Sequence, residues 1–465
     1  MTMWTPKLGD RDGPLYRVIA AALVEDIETG RLSAGHQLPT HRELAQKVGV
    51  TVGTITRAYA EVERQGLIGG EVGRGTFVRQ RGTTRFPPPV EDSEEGGVIN
   101  LELNWPVPAA GHYDVSAFDQ ALGAIAKSPE RARLLAYQPH VGLEAHRAAG
   151  VEWVRRHGLE VEVGQIAVCS GAQHAIEVAL GALTRPGDTL LTELLTYPGA
   201  KMLAERLQLR VQGVAMDAEG LRPDALKAAC RNGARVLYLV PTFQNPTGAL
   251  MSEARRRQLA AVVKEQELTV IEDDAYGLLL ERRPRPLAHF APEHTYFIAG
   301  TSKVLAPGLR IAYLAAPAGR MEALAQGLWV TNWMAAPLTA EIAARWMADG
   351  TADELLLRRR REAAWRFKRA QQLLGKHLPA QGPGPALHLW LPLPARWRSE
   401  AFAAQARRAG VAVGAAELFA VPPHAFAPGV RVCLGPPATR ERLEEGLRRL
   451  VAVLEEGPAP LPSIV

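Results

Sequence analysis

Cysteine is scarce in this chain. Only Cys169, Cys230 and Cys433 are present, too few and too scattered for a disulfide framework or a metal-ligand spacing, and such usage fits a reducing cytoplasm. Long apolar runs are missing too: nothing approaches the ~18 residues that a membrane helix needs. The opening residues, MTMWTPKLGD, lack the apolar core of a secretory leader, so none is expected there. The histidines show no ligand spacing, so no metal is expected. No segment repeats.

What is present is ordinary in bulk and uneven in detail. With 465 residues, 47% hydrophobic and 22% charged, the chain suits a soluble globular protein of two or three domains. A net charge of +5 identifies no partner by itself. Its distribution is more telling, because residues 40–85 carry eight Lys or Arg against four Glu. A local basic excess of this kind suits a nucleic acid.

The first 80 residues are dense in helical pattern. Pro14 opens a helix over 14–30, with Leu15, Ile19, Leu23 and Ile27 on one face. Thr40 and Glu43 have capping-box spacing for a second helix ending at Val48. Gly49 breaks it, and a third helix runs from Thr51 to Gln65. Strands over 67–70 and 75–79 then form a wing. In a winged helix-turn-helix the third helix enters the major groove, which puts Thr51, Thr54 and Arg57 at the leading surface. Arg42 and Arg74 are placed to meet phosphates or groove edges. The whole stretch, with LPTHRELAQKVGVT and AYAEVERQGLIGGEVGRGTFV, resembles the GntR-type winged helix. One departure is that the family often has Ser-Arg where this chain has Thr51-Val52, so an expected DNA-facing arginine is missing.

Residues 81–97 include TTRFPPPVEDSEEGG, a linker composition that cannot build a core. Beyond it, apolar runs at 165–169, 189–192, 235–240, 269–272, 296–299 and 310–314 alternate with helical stretches. That alternation predicts an α/β domain around a mostly parallel sheet. From about residue 349 the pattern changes to Arg- and Ala-rich helices with short strands near 386–391 and 430–434, a smaller α+β lobe.

The strongest chemical signal is Thr301-Ser302-Lys303-Val-Leu-Ala-Pro-Gly-Leu-Arg310. A lysine is ordinarily a solvated surface residue, but this one follows an apolar strand and a glycine. Pyridoxal phosphate chemistry needs a lysine amine for a Schiff base, and hydroxyl and cationic groups for the phosphate; Ser302 and Arg310 can supply the latter. Ser170-Gly171-Ala172-Gln173 opens a helix after a strand, a place for a phosphate. Tyr197 can stack on a ring. Asn245, in Asn-Pro-Thr-Gly248, and Tyr276 can both bond a phenolic oxygen. Asp273, at a strand end, can pair with a protonated pyridine nitrogen.

Together, in this order, these residues resemble the class I aminotransferases, of fold type I, over roughly 98–465. The resemblance implies pyridoxal 5'-phosphate as cofactor, with Lys303 as the Schiff-base and catalytic lysine and Asp273 as the ring-nitrogen partner. It implies Asn245 and Tyr276 at the phenolic oxygen, Tyr197 as the stacking ring, and Gly171, Ala172, Gln173, Ser302 and Arg310 around the phosphate. Tyr137 is similar to the tyrosine that reaches the partner subunit's phosphate, and Arg431 to the arginine that binds a substrate or effector carboxylate. Gly300 stands where many relatives carry a hydroxyl residue. Asn104 and Trp105 are placed to line the entrance. The basic run at Arg358–Arg361, with Arg366, Lys368 and Arg369, reads as a solvated helix face.

A GntR reader fused to such a body resembles the MocR-type regulators. The resemblance implies a cytoplasmic homodimer that binds double-stranded operator DNA and senses an amino compound or pyridoxal phosphate itself. An aminotransferase carrying a DNA-binding domain is the other function compatible with Lys303, Asp273 and Arg431. The same three residues argue against a body without cofactor.

Overall fold

The computed structural model describes residues 4–6, 14–28, 31–32, 35–64, 67–71, 75–78, 97–107, 115–378, 384–421 and 426–458. The chain forms two compact units, Met1–Pro87 and Pro88–Val465.

In the first unit, α1 (Leu15–Glu28), α2 (His41–Val48) and α3 (Val52–Arg64) precede β1 (Ile68–Glu71) and β2 (Gly75–Val78), an antiparallel pair. Ile19 and Leu23 of α1, Leu44 of α2, Ile55, Tyr59 and Val62 of α3, and Ile68 and Val78 of the strands bury together. Leu15 is the exception on the expected face of α1 and stays exposed. The capping box at Thr40 forms as its spacing requires: the Thr40 hydroxyl accepts from the Glu43 amide, and the Glu43 carboxylate accepts from the Thr40 amide at 2.9 Å. Gly49 ends α2 at a positive φ of 73°, where a side chain would be strained.

The second unit begins with β3 (Ile99–Leu101), α4 (Val115–Lys127) and α5 (Glu144–Arg156). There follow β4 (Ile166–Cys169), α6 (Ala172–Leu183), β5 (Thr189–Glu193), α7 (Pro198–Arg206) and β6 (Arg210–Val214). A two-residue hairpin, β7 (Met216–Asp217) and β8 (Gly220–Leu221), leads to α8 (Pro223–Ala229), β9 (Val236–Leu239), α9 (Glu253–Glu265) and β10 (Thr269–Asp273). Next come α10 (Leu287–Phe290), β11 (Thr295–Gly300) and β12 (Ala312–Ala315). The main sheet runs β4-β12-β11-β10-β9-β5-β6, with β12 antiparallel to both neighbours and the other strands parallel. All six expected strand runs are present. The last starts two residues later than expected, because Arg310 adopts a left-handed conformation (φ 51°) at the end of a short helical turn.

Three long helices follow, α11 (Met321–Asn332), α12 (Pro337–Ala348) and α13 (Thr351–Leu374), then β13 (His388–Pro392), α14 (Ser399–Arg408), β14 (Val411–Ala415), β15 (Gly429–Cys433) and α15 (Arg440–Glu456). The smaller lobe is not wholly C-terminal: its sheet is β13-β15-β14-β3, with β3 parallel to β14. Gly97, taken as the last linker residue, holds the Arg442 guanidinium through its carbonyl at 2.9 Å.

The basic run on α13 is only in part a solvated face: Arg358, Arg361 and Lys368 are exposed, but two of its arginines are not. Arg359 and Arg366 are buried. Arg359 donates to the carbonyls of Val304, Leu305 (2.8 Å) and Val107. Arg366 donates to those of Leu434 and Pro437 and pairs with Glu362 at 2.8 Å. Such charges are tolerated inside only because carbonyl oxygens and a carboxylate replace water.

Candidate cofactor site and DNA reader

Five connections converge at the C-terminal ends of the parallel strands, where open α/β sheets bind ligands. Gly171 follows β4, Tyr197 follows β5, Asn245 follows β9, Asp273 ends β10, and Lys303 follows β11. Gly171 has a φ of +89° and caps α6. A side chain there would collide with the Arg310 guanidinium, so glycine lets that cation lie against the helix N-terminus. Ala172 is the first residue of α6 and Ser302 immediately precedes the lysine. Gln173 donates to the Gly199 carbonyl at 3.1 Å, and its own carbonyl is buried without a partner. Tyr197 caps α7 and is held near Asp273, Arg431 and Arg310; burial pushes its phenol up.

Lys303 donates to the Asn104 carbonyl. Desolvation, with Arg431 and Arg310 acting the same way, lowers its ammonium to about 8. Asp273 accepts from Tyr238 at 2.8 Å, while its Oδ1 is buried without a partner. Burial, reinforced by Asp274 and opposed by the Tyr238 bond and Lys303, raises its carboxyl to about 6. Arg431 is buried; it donates to Asn245 Oδ1 and to the Glu102 carbonyl, both at 2.7 Å, and lies 4.6 Å over the Phe419 ring. Because Asn245 Oδ1 accepts from Arg431, the Asn245 amide nitrogen is left for another acceptor.

Tyr137 is not part of this constellation within its own chain. It is 81% exposed and packs against Trp333 at 5.3 Å. Trp105 is exposed, whereas Asn104 is tied into the site: its amide donates to Tyr276 at 3.0 Å and faces His388 at 2.9 Å. The residue pattern did not single out Tyr238, His388, Glu102 or Phe419. His388 alone carried a signal, as the one polar residue in the apolar run ALHLWL.

On the reader, Arg42, Thr51 and Arg57 are exposed and Thr54 is half-buried. The Thr51 hydroxyl accepts from the Thr54 amide at 3.3 Å, so it starts α3 as well as facing outward. Arg74 lies outside the described residues. Among the described residues no helix is long and apolar enough to cross a membrane, and no group of three or more His, Cys, Asp or Glu is placed to hold a metal.

Residues 15–78 match the family described as bacterial regulatory proteins, gntR family, and residues 98–450 match aminotransferase class I and II. The uncharacterized HTH-type transcriptional regulator YdeF of Bacillus subtilis (strain 168) is 33% identical over 458 residues, covering 97% of both chains. The chain belongs to the MocR-type regulators. Another relative, the vitamin B6 salvage pathway transcriptional repressor PtsJ of Salmonella typhimurium, is 28% identical over 84% of this chain and 88% of its own. The structure of LysN, an alpha-aminoadipate aminotransferase of Thermus thermophilus complexed with N-(5'-phosphopyridoxyl)-L-leucine, aligns with a TM-score of 0.70 and 26% identity, over 78% of this chain and 93% of that one. As in other MocR-type regulators, the reader is a DNA-binding winged helix and the body has the fold-type I architecture whose cofactor is pyridoxal 5'-phosphate.

The residues present fit that cofactor. A desolvated amine, a buried carboxylate oxygen lacking a partner and a cation against a helix N-terminus are what a carbonyl, a pyridinium and a phosphate require.

Proposed function

We propose that this MocR-type regulator binds operator DNA through its reader and senses an amino compound, or pyridoxal phosphate itself, at Lys303. In this reading residues 1–80 are the reader, 81–97 the linker and 98–465 the sensor. Lys303 forms the Schiff base, Asp273 pairs with the ring nitrogen, and Asn245 and Tyr276 bond the phenolic oxygen. Tyr197 stacks, and Gly171, Ala172, Gln173, Ser302 and Arg310 hold the phosphate. Arg431 binds the effector carboxylate. Bound there, the cofactor supplies a carbonyl carbon for an amine and a ring that draws electrons from it.

The observation that carries the reading is the meeting of Lys303, Asp273 and Arg431 in one buried site, in a chain that opens with a DNA reader. PtsJ, named as a repressor of vitamin B6 salvage, supports the cofactor itself as one candidate effector. The protein acts in the cytoplasm as a homodimer, with Tyr137 reaching the partner's phosphate. Leu135, Tyr137, Trp329 and Val330, the last 78% exposed, offer apolar area for such a contact. Two readers on one dimer require two half-sites in the operator.

The test is a DNA titration of wild type and Lys303→Ala, each with and without candidate amines and pyridoxal phosphate. An effector can move DNA affinity only by its differential binding to two arrangements, typically about 1–3 kcal/mol or 5- to 150-fold. The wild type should respond within that range, and Lys303→Ala should keep basal DNA binding without responding. Equal responses would remove the Schiff base from the switch.

A further inference from the structure

His388 stands on β13 with both ring nitrogens engaged. Its Nε2 lies 2.9 Å from the Gln244 carbonyl and its Nδ1 lies 2.9 Å from the Asn104 amide nitrogen. A carbonyl oxygen only accepts, so Nε2 must carry the hydrogen. Burial, with Arg431 and Lys303 nearby, lowers the imidazole to about 3, so the ring is neutral and carries one proton. Nδ1 is therefore a lone pair. That fixes the Asn104 side chain, because only its amide nitrogen can face an acceptor. With the amide turned over, a carbonyl oxygen would meet a lone pair.

The second amide hydrogen of Asn104 goes to the Tyr276 oxygen at 3.0 Å. Tyr276 accepts there, and its own hydroxyl hydrogen is left to donate elsewhere. Turned over, Asn104 would take that hydrogen for itself. The tautomer of one histidine thus sets the direction of donation at a tyrosine it does not hydrogen-bond, although the two rings meet edge to face at 5.3 Å.

We infer that His388 is a positioning residue, which through Asn104 holds Tyr276 as a donor toward the cofactor's phenolic oxygen. The inference rests on the cofactor reading above. A donor at that oxygen stabilises its negative charge, which the proton on the lysine-bound nitrogen otherwise balances. Keeping the donor therefore favours loss of that proton, and losing it raises the midpoint at which the visible band titrates. His388→Leu leaves Asn104 free to turn and capture the Tyr276 hydrogen. His388→Asn keeps an acceptor near the former Nδ1 position. The groups that face Lys303, which are Asp273, Arg310, Arg431 and Cys433, are untouched by either change.

The experiment is a pH titration of the visible band in the cofactor-loaded full chain. His388→Leu should raise the midpoint by about one pH unit, the value of one hydrogen bond to a charged oxygen. Tyr276→Phe should raise it by at least as much, and adding His388→Leu to Tyr276→Phe should add nothing. His388→Asn should return the midpoint toward wild type. If His388→Leu does not fold, His388→Phe, a ring of similar size with no acceptor nitrogen, should give the same rise, whereas Asn104→Ala, which leaves no oxygen to capture the Tyr276 hydrogen, should not. A wild type without any visible band would overturn the cofactor reading and this inference together. A titrating wild type whose midpoint His388→Leu leaves unchanged, or shifts equally in the Tyr276→Phe background, would overturn the inference alone.

Discussion

Arg431 on β15 donates to Asn245 Oδ1 at 2.7 Å, joining the smaller lobe to the loop after β9. A second donation, to the Glu102 carbonyl, engages another arm of the same guanidinium. An incoming carboxylate must compete with both acceptors, and it offers a full charge and a planar pair of oxygens where they offer neutral ones. Arg431→Ala should therefore weaken an α-amino acid by at least about 30-fold, since losing one partner of a buried charge pair costs about 2 kcal/mol or more. Spectral titration with an amino acid and with its decarboxylated amine checks this. The wild type should prefer the acid, and the variant should bind the two alike.

Asp273 supplies a pH signature. Its carboxyl is raised from an ordinary value of 3.8 to about 6, chiefly by burial. Between those values the cofactor-free folded chain holds a proton that the unfolded chain has released, so this residue makes stability fall as pH rises through about 4 to 6. Glu272, raised to about 6 by burial, tilts the same way, so the useful quantity is the difference between wild type and Asp273→Asn. That difference in thermal midpoint should grow in favour of the variant across the window. Loaded with cofactor, Asp273→Ala should bind far more weakly, by about 3–5 kcal/mol or more than 100-fold in Kd. Unchanged affinity would place the ring elsewhere.

Arg359 holds Val304 and Leu305, the two residues after Lys303, together with Val107 beyond the Asn104 segment. Arg359→Leu leaves three buried carbonyls to find other partners, and we expect a loss of about 2–4 kcal/mol in stability. Arg359→Lys, with one compact cation in place of a fork, should recover only part of it. Denaturant midpoints of the three proteins give the comparison.

Much of this was legible before any coordinate. The buried strands β4, β5, β9, β10 and β11 are apolar runs between turn residues, and the chemical residues sit at their ends, so order along the chain predicted convergence in space. β3 was not legible: three residues, Ile99–Leu101, pair with β14 far along the chain, and no local pattern encodes that. β6 and β14 carry Gln212 and Gly414 within their runs, which blunts the apolar signal. Arg359 and Arg366 were readable in a different way. Leu355, Arg359, Ala363, Arg366 and Ala370 form one buried stripe on α13, and helical spacing rather than charge count would have found them. Tyr137 is legible only by resemblance, since its expected place is on a second chain.

The reader offers a prediction at Val52, where the GntR resemblance leads one to expect an arginine. Val52, the first residue of α3, is 44% exposed and stands beside Thr51 where an arginine is common. If α3 enters the groove as proposed, an exposed valine at its tip cannot neutralise a phosphate there. Arg57, five residues further along α3 and exposed, is a cation on the same helix. Each phosphate contact adds about one to the steepness with which affinity falls against salt. Val52→Arg should therefore steepen the logarithmic salt dependence by about one and tighten binding most at low salt. Arg57→Ala should do the reverse, and neither should alter the visible band of the cofactor. Binding measured across a salt series on the chain's own upstream DNA decides between roles at Arg57. A weaker affinity with an unchanged slope would mean that Arg57 reads a base rather than a phosphate, and the loss should then vanish on DNA with that base pair replaced.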